Sequence, residues 1–171
     1  MNALAASPAL ERSRVAPLSL SGAMTLFAIA AVLVTVSIPR LRGLAQRENE
    51  ADARATAQLL AKGLADAMAT GSSVPSLAAL LREQALSGVR TDAELFPTDG
   101  VLRRHGYLFE IIQLPSRANA VRAWPWKHGS TGARAFLALC DGTSYEHANA
   151  AALWDGLPRV GEAFATLTGW R

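Results

Sequence analysis

The sequence predicts an α+β protein in which one long N-terminal helix, apolar enough over its first half to cross a membrane, packs on a small antiparallel β-sheet. Three observations carry this expectation. No charged residue occurs from Val15 to Pro39. From Arg40 to Thr70 charges return, while the apolar residues keep helical spacing. From Tyr107 to His147, short runs rich in aromatic and branched residues alternate with turn signals, as strands do.

Residues 1–17 contain Ala and Ser without apolar periodicity and read as a leader, flexible or lying on the membrane surface. Residues 18–39 read as the transmembrane helix. A bilayer core about 30 Å thick needs ~20 apolar residues at ~1.5 Å each. Leu18 to Ile38 supplies that length, and ten of its residues are Leu, Ile, Val or Phe. Each of these favours insertion by roughly 0.3 to 0.6 kcal/mol, and Ser19, Ser21 and Gly22 oppose it only weakly. A cleaved signal peptide would have an apolar core of about 7 to 15 residues and end in a small-x-small site. This run ends instead in Ser37-Ile38-Pro39-Arg40-Leu41-Arg42, a stop-transfer edge. Within it Ser21, Thr25, Ala28 and Thr35 fall on one helical stripe, where small side chains let another transmembrane helix approach. Composition alone would place the same residues there, and both readings stand. Pro39, at the membrane exit, removes one backbone hydrogen bond and is expected to kink the helix without ending it.

Residues 40–70 read as an amphipathic helical stem. Ala53, Ala57, Leu60, Leu64 and Met68 follow helical spacing, and Glu50 and Arg54 are expected to pair at i and i+4 on the solvent side. A continuous helix from Leu18 to Thr70 would measure ~80 Å. Residues 71–171, about 100 in number, suit a single small head domain. Thr70 to Pro75 reads as a turn, after which Ser76 caps a short helix with Leu77, Leu80 and Leu81 on its apolar side and Gly88 as its stop. A loop with Pro97 and Asp99-Gly100 follows. Strands are expected at Tyr107 to Leu114, Val121 to Trp126, Arg134 to Leu139 and Ser144 to His147, the last two joined as a hairpin through Asp141-Gly142. Beyond Asn149, a segment with Trp154, Leu157, Phe164 and Trp170 is expected to wrap back over the domain.

Composition excludes some chemistry. The net charge of +3 comes from arginines spread along the chain, which does not point to nucleic acid. Arg103, Arg104, Arg117, Arg122 and Arg134 read as scattered solvated side chains rather than a DNA surface. One cysteine, Cys140, rules out an intrachain disulfide and reads as a small buried hydrophobe with a free thiol. His105, His128 and His147 do not stand at metal-ligand spacing, although sheet pairing would be able to join His128 to His147. Gly129-Ser130-Thr131-Gly132 lacks the Lys-Ser/Thr of a phosphate loop and reads as a turn with glycines at positive φ. Trp124 and Trp126 share one strand face, expected against the stem, and with Trp154 and Trp170 they are candidate interface residues. A glycan-stacking platform is the rival reading of Trp124-Pro125-Trp126-Lys127. No catalytic residue, cofactor or metal site is expected.

Arg12 and Arg14 precede the apolar run, and Arg40, Arg42 and Arg47 follow it, so charge does not separate the two sides cleanly. The short N-terminal flank favours a cytoplasmic N-terminus and a head outside.

The stretch from Met24 to Leu41, with Ile38-Pro39 near its end, is similar to the apolar segment of type IV pilins and type II secretion pseudopilins. Gly106-Tyr107-Leu108-Phe109, Ala123-Trp124-Pro125, Gly129 to Phe136 and Asp141-Gly142 resemble the sheet of pilin-like heads. The resemblance covers most of the chain after Leu18. It implies a pilin-like layout and a non-enzymatic structural or assembly subunit in the bacterial inner membrane, with the head periplasmic. The implied partners are the lipid bilayer and transmembrane helices of other subunits, with neither nucleic acid nor a small-molecule substrate. Two positions depart from the family. Its processing junction would fall between Pro17 and Leu18, where the family has Gly, and its acidic fifth mature residue would fall at Gly22. These departures keep open an auxiliary subunit of a large respiratory or photosynthetic inner-membrane complex, its leader uncleaved. A periplasmic module binding glycan or DNA is a third reading.

Overall fold

A computed structural model describes residues 19–71, 73–96, 100–159 and 169–171 of the chain. Helix α1 runs from Leu20 to Ala69, 50 residues, and continues through Pro39. The chain divides after Pro39 into two units, 1–39 and 40–171.

In the first unit, Ser19 Oγ accepts from the Gly22 N–H at 3.2 Å and caps the helix start. The apolar side chains beyond it are exposed, Phe27 to 77% and Met24 to 67%. This is the one helix among the described residues that is long and apolar enough to cross a membrane.

In the second unit, α1 buries Ala53, Thr56, Ala57, Leu60, Ala61 and Leu64, the i, i+3, i+4, i+7 pattern of one face. Met68 continues the spacing but remains at the rim. The sheet beneath is an antiparallel meander of six strands in sequence order: β1 Glu94–Phe96, β2 Val101–Arg104, β3 Tyr107–Gln113, β4 Asn119–Pro125, β5 Ala135–Leu139 and β6 Ser144–His147. The last four match the expected strands to within two residues at each end. The hairpin of β1 and β2 replaces the expected loop, pairing Leu95 with Leu102 and Phe96 with Val101. Pro97 and Asp99 lie outside the described residues.

Side chains alternate across the sheet. Leu102, Tyr107, Phe109, Val121, Ala123, Phe136 and Ala138 face α1 and form the first core with its buried stripe. Helix α2, Leu77–Leu80, closes one flank of that core. Ser76 caps it by accepting from the Ala79 N–H, and Leu77, Leu80 and Leu81 are all buried. Gly88 does not stop a helix. The extended backbone of Glu83 ends that turn, and a 3-10 segment, Gln84–Leu86, then leads into α3, Ser87–Thr91, which runs through Gly88 and buries Leu86 and Val89 in the same core.

The opposite sheet face carries Val101, Leu108, Trp124 and Ala135, packed with Trp154 of the C-terminal segment, and Ile112, Ala120 and Leu137 beside them. Trp154, Leu157 and Trp170 therefore do wrap back, over the face away from α1; Phe164 lies outside the described residues. The chain end also pairs with β6, Glu146 and Arg171 exchanging backbone hydrogen bonds of 2.8 and 3.0 Å.

The four-residue turn 129–132 uses its two glycines differently. Gly129 has φ +71, but Gly132 is small because a Cβ there would lie 2.0 Å from Tyr107 Oη. Gly132→Ala is therefore expected to destabilise the head by about 1–3 kcal/mol or more through overpacking. Gly88→Ala, whose Cβ would meet nothing within 4 Å inside α3, is expected to stabilise it by roughly 0.5–1 kcal/mol. Urea unfolding of the two variants in one detergent, followed by tryptophan fluorescence, checks the opposite signs.

Candidate functional site

Ser21, Thr25, Ala28 and Thr35 are exposed on α1, and the two threonine hydroxyls are bonded within the helix. Thr25 Oγ1 donates to Ser21 O at 2.9 Å, and Thr35 Oγ1 donates to Ala31 O at 2.7 Å. Back-bonded hydroxyls cost little in hydrocarbon, where an unsatisfied polar group costs several kcal/mol. Ser21, Thr25, Ala28 and Thr35 share one side of the helix, with the Ser21 hydroxyl 3.1 Å from Ser19 Oγ. Pro39, lacking an N–H, leaves the Thr35 carbonyl without its helical donor four residues on.

The tryptophans do not form one surface. Trp124 faces away from α1 rather than toward it, because the β3–β4 register pairs it with Leu108 and places Val121 and Ala123 on the helix side. It is fully buried, with Nε1 donating to Gly156 O at 2.9 Å, so it has no surface to offer a partner. Trp154 is nearly as buried, held by Asn149, which bonds both its N–H and its carbonyl at 2.8 Å. Trp170 is half-buried against His147 and Trp154, ring centroids 5.4 and 6.4 Å away. Trp126, also half-buried, stacks on Phe96 at 6.2 Å with Arg103 4.9 Å over its ring. Of the candidate interface residues, Trp126 and Trp170 keep accessible surface.

The arginines are the larger departure from expectation. Arg122 is not solvated: its side chain is wholly buried between Trp124 and Trp154, 4.9 and 4.5 Å from their ring centroids. Its Nη2 donates to Glu110 Oε2 at 2.7 Å and to Arg159 O at 3.1 Å. Glu110 stands directly opposite on β3. Arg104 ties three elements together, its Nη1 donating to Asp52 of α1 at 2.7 Å and its Nε to Asp92 after α3 at 2.7 Å. His105, at φ +43 in the turn to β3, adds contacts of 3.1 Å to Asp52 and 3.0 Å to Asp92. Glu50 and Arg54 do not pair with each other. Glu50 accepts from the Ala133 N–H at 2.9 Å and sits 3.6 Å from Arg134, while Arg54 reaches Glu146 at 3.2 Å, so both are drawn to the sheet. These pairings leave no continuous basic surface among Arg103, Arg104, Arg122 and Arg134.

The histidines lie on separate elements, and the described residues contain no cluster of three or more His, Cys, Asp or Glu suited to a metal ion. Cys140 is half-buried at the end of β5, in an open groove of about 510 Å³ that it shares with Gln58, Lys62, Asp66 and Asp141. Burial, and then the Asp141 charge, push its thiol above the ordinary range. Burial likewise raises the Tyr107 phenol, which donates to Arg134 O at 3.0 Å.

Comparison with protein-family profiles, curated proteins and solved structures returned no match to this chain.

Two predictions follow from the charge geometry. Glu110→Gln strands a buried guanidinium and should cost about 3–5 kcal/mol, whereas replacing both Glu110 and Arg122 by Met should recover most of it; a thermal-melt double-mutant cycle reads the difference. The hydrogen bond from Arg104 holds the Asp92 carboxyl below its usual range. A depressed carboxylate contributes stability that is present above its unfolded pKa, about 3.9, and is lost as pH falls through the lower folded value. Asp92→Asn should therefore flatten the fall in melting temperature on acidification below about pH 4, compared with the unaltered chain.

Proposed function

We propose that this chain is a non-enzymatic, single-pass membrane subunit with a pilin-like head, working in a type II secretion or type IV pilus-like machine of the bacterial inner membrane. The N-terminus is cytoplasmic and the head periplasmic. The observation that carries this reading is the division of labour along α1. Its first half exposes apolar side chains, with the Thr25 and Thr35 hydroxyls bonded back into the helix, and its second half buries one face against an antiparallel sheet. The anchor partitions into lipid, its small-residue stripe meets other transmembrane helices, and the head supplies contacts outside the bilayer. The commitment of the head's arginines to carboxylates supports a protein partner over nucleic acid.

Pro17 and Gly22 favour a second reading, a fixed auxiliary subunit of a large inner-membrane complex whose leader stays in place. The mass of the native N-terminus in carbonate-washed membranes separates the two. A chain beginning at a methylated Leu18 is expected for the secretion or pilus machine, and an intact leader for the fixed subunit. Release of the whole chain by the alkaline wash would overturn both.

A further inference from the structure

The arginines that follow the apolar run differ from those of the sheet. Arg40, Arg42 and Arg47 are exposed, and none has a side-chain hydrogen bond or ion pair among the described residues. Farther along the same helix Arg54 is paired with Glu146, and in the sheet Arg103, Arg104, Arg122 and Arg134 each hold a carboxylate. No acidic residue stands between Pro39 and Arg47. The first is Glu48, exposed, and the next, Glu50, is occupied by Ala133 and Arg134.

A fourth basic group is brought to this level by the turn between β4 and β5. Asn49 Nδ2 donates to Thr131 O at 2.9 Å and Gln46 Nε2 donates to Gly129 O, which fastens the turn to the helix beside Arg47. Lys127, at the start of that turn, is exposed and has no ion-pair partner among the described residues. At 100° per residue Arg40 and Arg47 share one side of the helix, and Arg42 takes the opposite side. The result is a collar of positive charge spread over ~10 Å of helix. That height falls within the ~13–15 Å made up by one headgroup layer and one Debye length at physiological salt.

We infer that this collar is a binding surface for the phosphate of anionic phospholipid headgroups, selecting such lipids around the emerging helix. A guanidinium without a protein carboxylate is suited to bidentate contact with a phosphodiester. The ammonium of Lys127 contributes a point charge. The inference rests on the membrane reading above, since the collar meets headgroups only if the apolar half of α1 occupies the bilayer.

The test uses the full chain reconstituted in phosphatidylcholine vesicles that contain trace spin-labelled lipid. The expected result is a motionally restricted lipid population, with spin-labelled phosphatidylglycerol enriched in it over spin-labelled phosphatidylcholine by about fivefold or more, the attraction of one or more basic residues. Replacing Arg40, Arg42, Arg47 and Lys127 by Gln should bring the ratio to one while leaving the restricted population in place. Arg82→Gln, Arg90→Gln and Arg117→Gln together, at exposed sites away from the collar, should leave the ratio unchanged. A ratio of one in the unaltered chain overturns the inference alone. Absence of any restricted lipid overturns the membrane reading with it. Loss of the preference when phosphate replaces chloride at equal ionic strength would assign the collar to a soluble phosphate instead, and also overturns the inference.

Discussion

One helix carries two kinds of surface, an exposed apolar one and a buried stripe. Between Leu20 and Ile38 the apolar side chains of α1 are exposed, and a hydroxyl placed in hydrocarbon there would have to be bonded within the helix. Thr25 and Thr35 meet that condition through carbonyls four residues back. Beyond Arg40 the condition changes to burial of a single face, and the side chains change with it: small alanines at 53, 57 and 61 alternate with Leu60 and Leu64, all buried in one core with Tyr107, Phe109 and Phe136. The rest of the head is arranged around that contact. Even the polar side chains of the stem serve it, since Gln46, Asn49, Glu50, Asp52 and Arg54 all reach to strands or turns.

The far side of the sheet is held differently. A small sheet with one covered face would leave Val101, Leu108, Ile112, Trp124 and Leu137 in water, and the C-terminal segment removes that exposure. A charged guanidinium placed in the middle of such a surface is costly unless fully engaged. Arg122 meets a carboxylate, a carbonyl and two indole faces. Because one of those partners is Arg159 and another Trp154, the ion pair also fixes where the C-terminal segment lies.

Much of this layout is legible in the sequence because it rests on local rules. A charge-free run marks the exposed apolar half of α1, a 3.6-residue period sets its buried face, Ser76 announces the cap of α2, and Asp141-Gly142 marks the hairpin. What stays illegible depends on register. Arg122 looks like any solvated arginine until β3 is set beside β4 with Glu110 opposite. The available signal was a lone opposite charge in each of two apolar strands. Trp124 is assigned to the wrong face for the same reason, since periodicity says which residues share a side but not which side meets the helix. β1 and β2 are too short for alternation to rise above noise, and Gly132 is needed because of Tyr107, 25 residues away in sequence.

The sheet's two margins limit how one head meets another. Along β6 the chain's own Trp170 and Arg171 occupy the ladder, and at the other margin β1 offers only three residues, with Glu94 bound to Arg103. Neither border is a template on which a foreign strand extends far. Copies of this protein brought close together are thereby kept from zipping into fibres through their sheets.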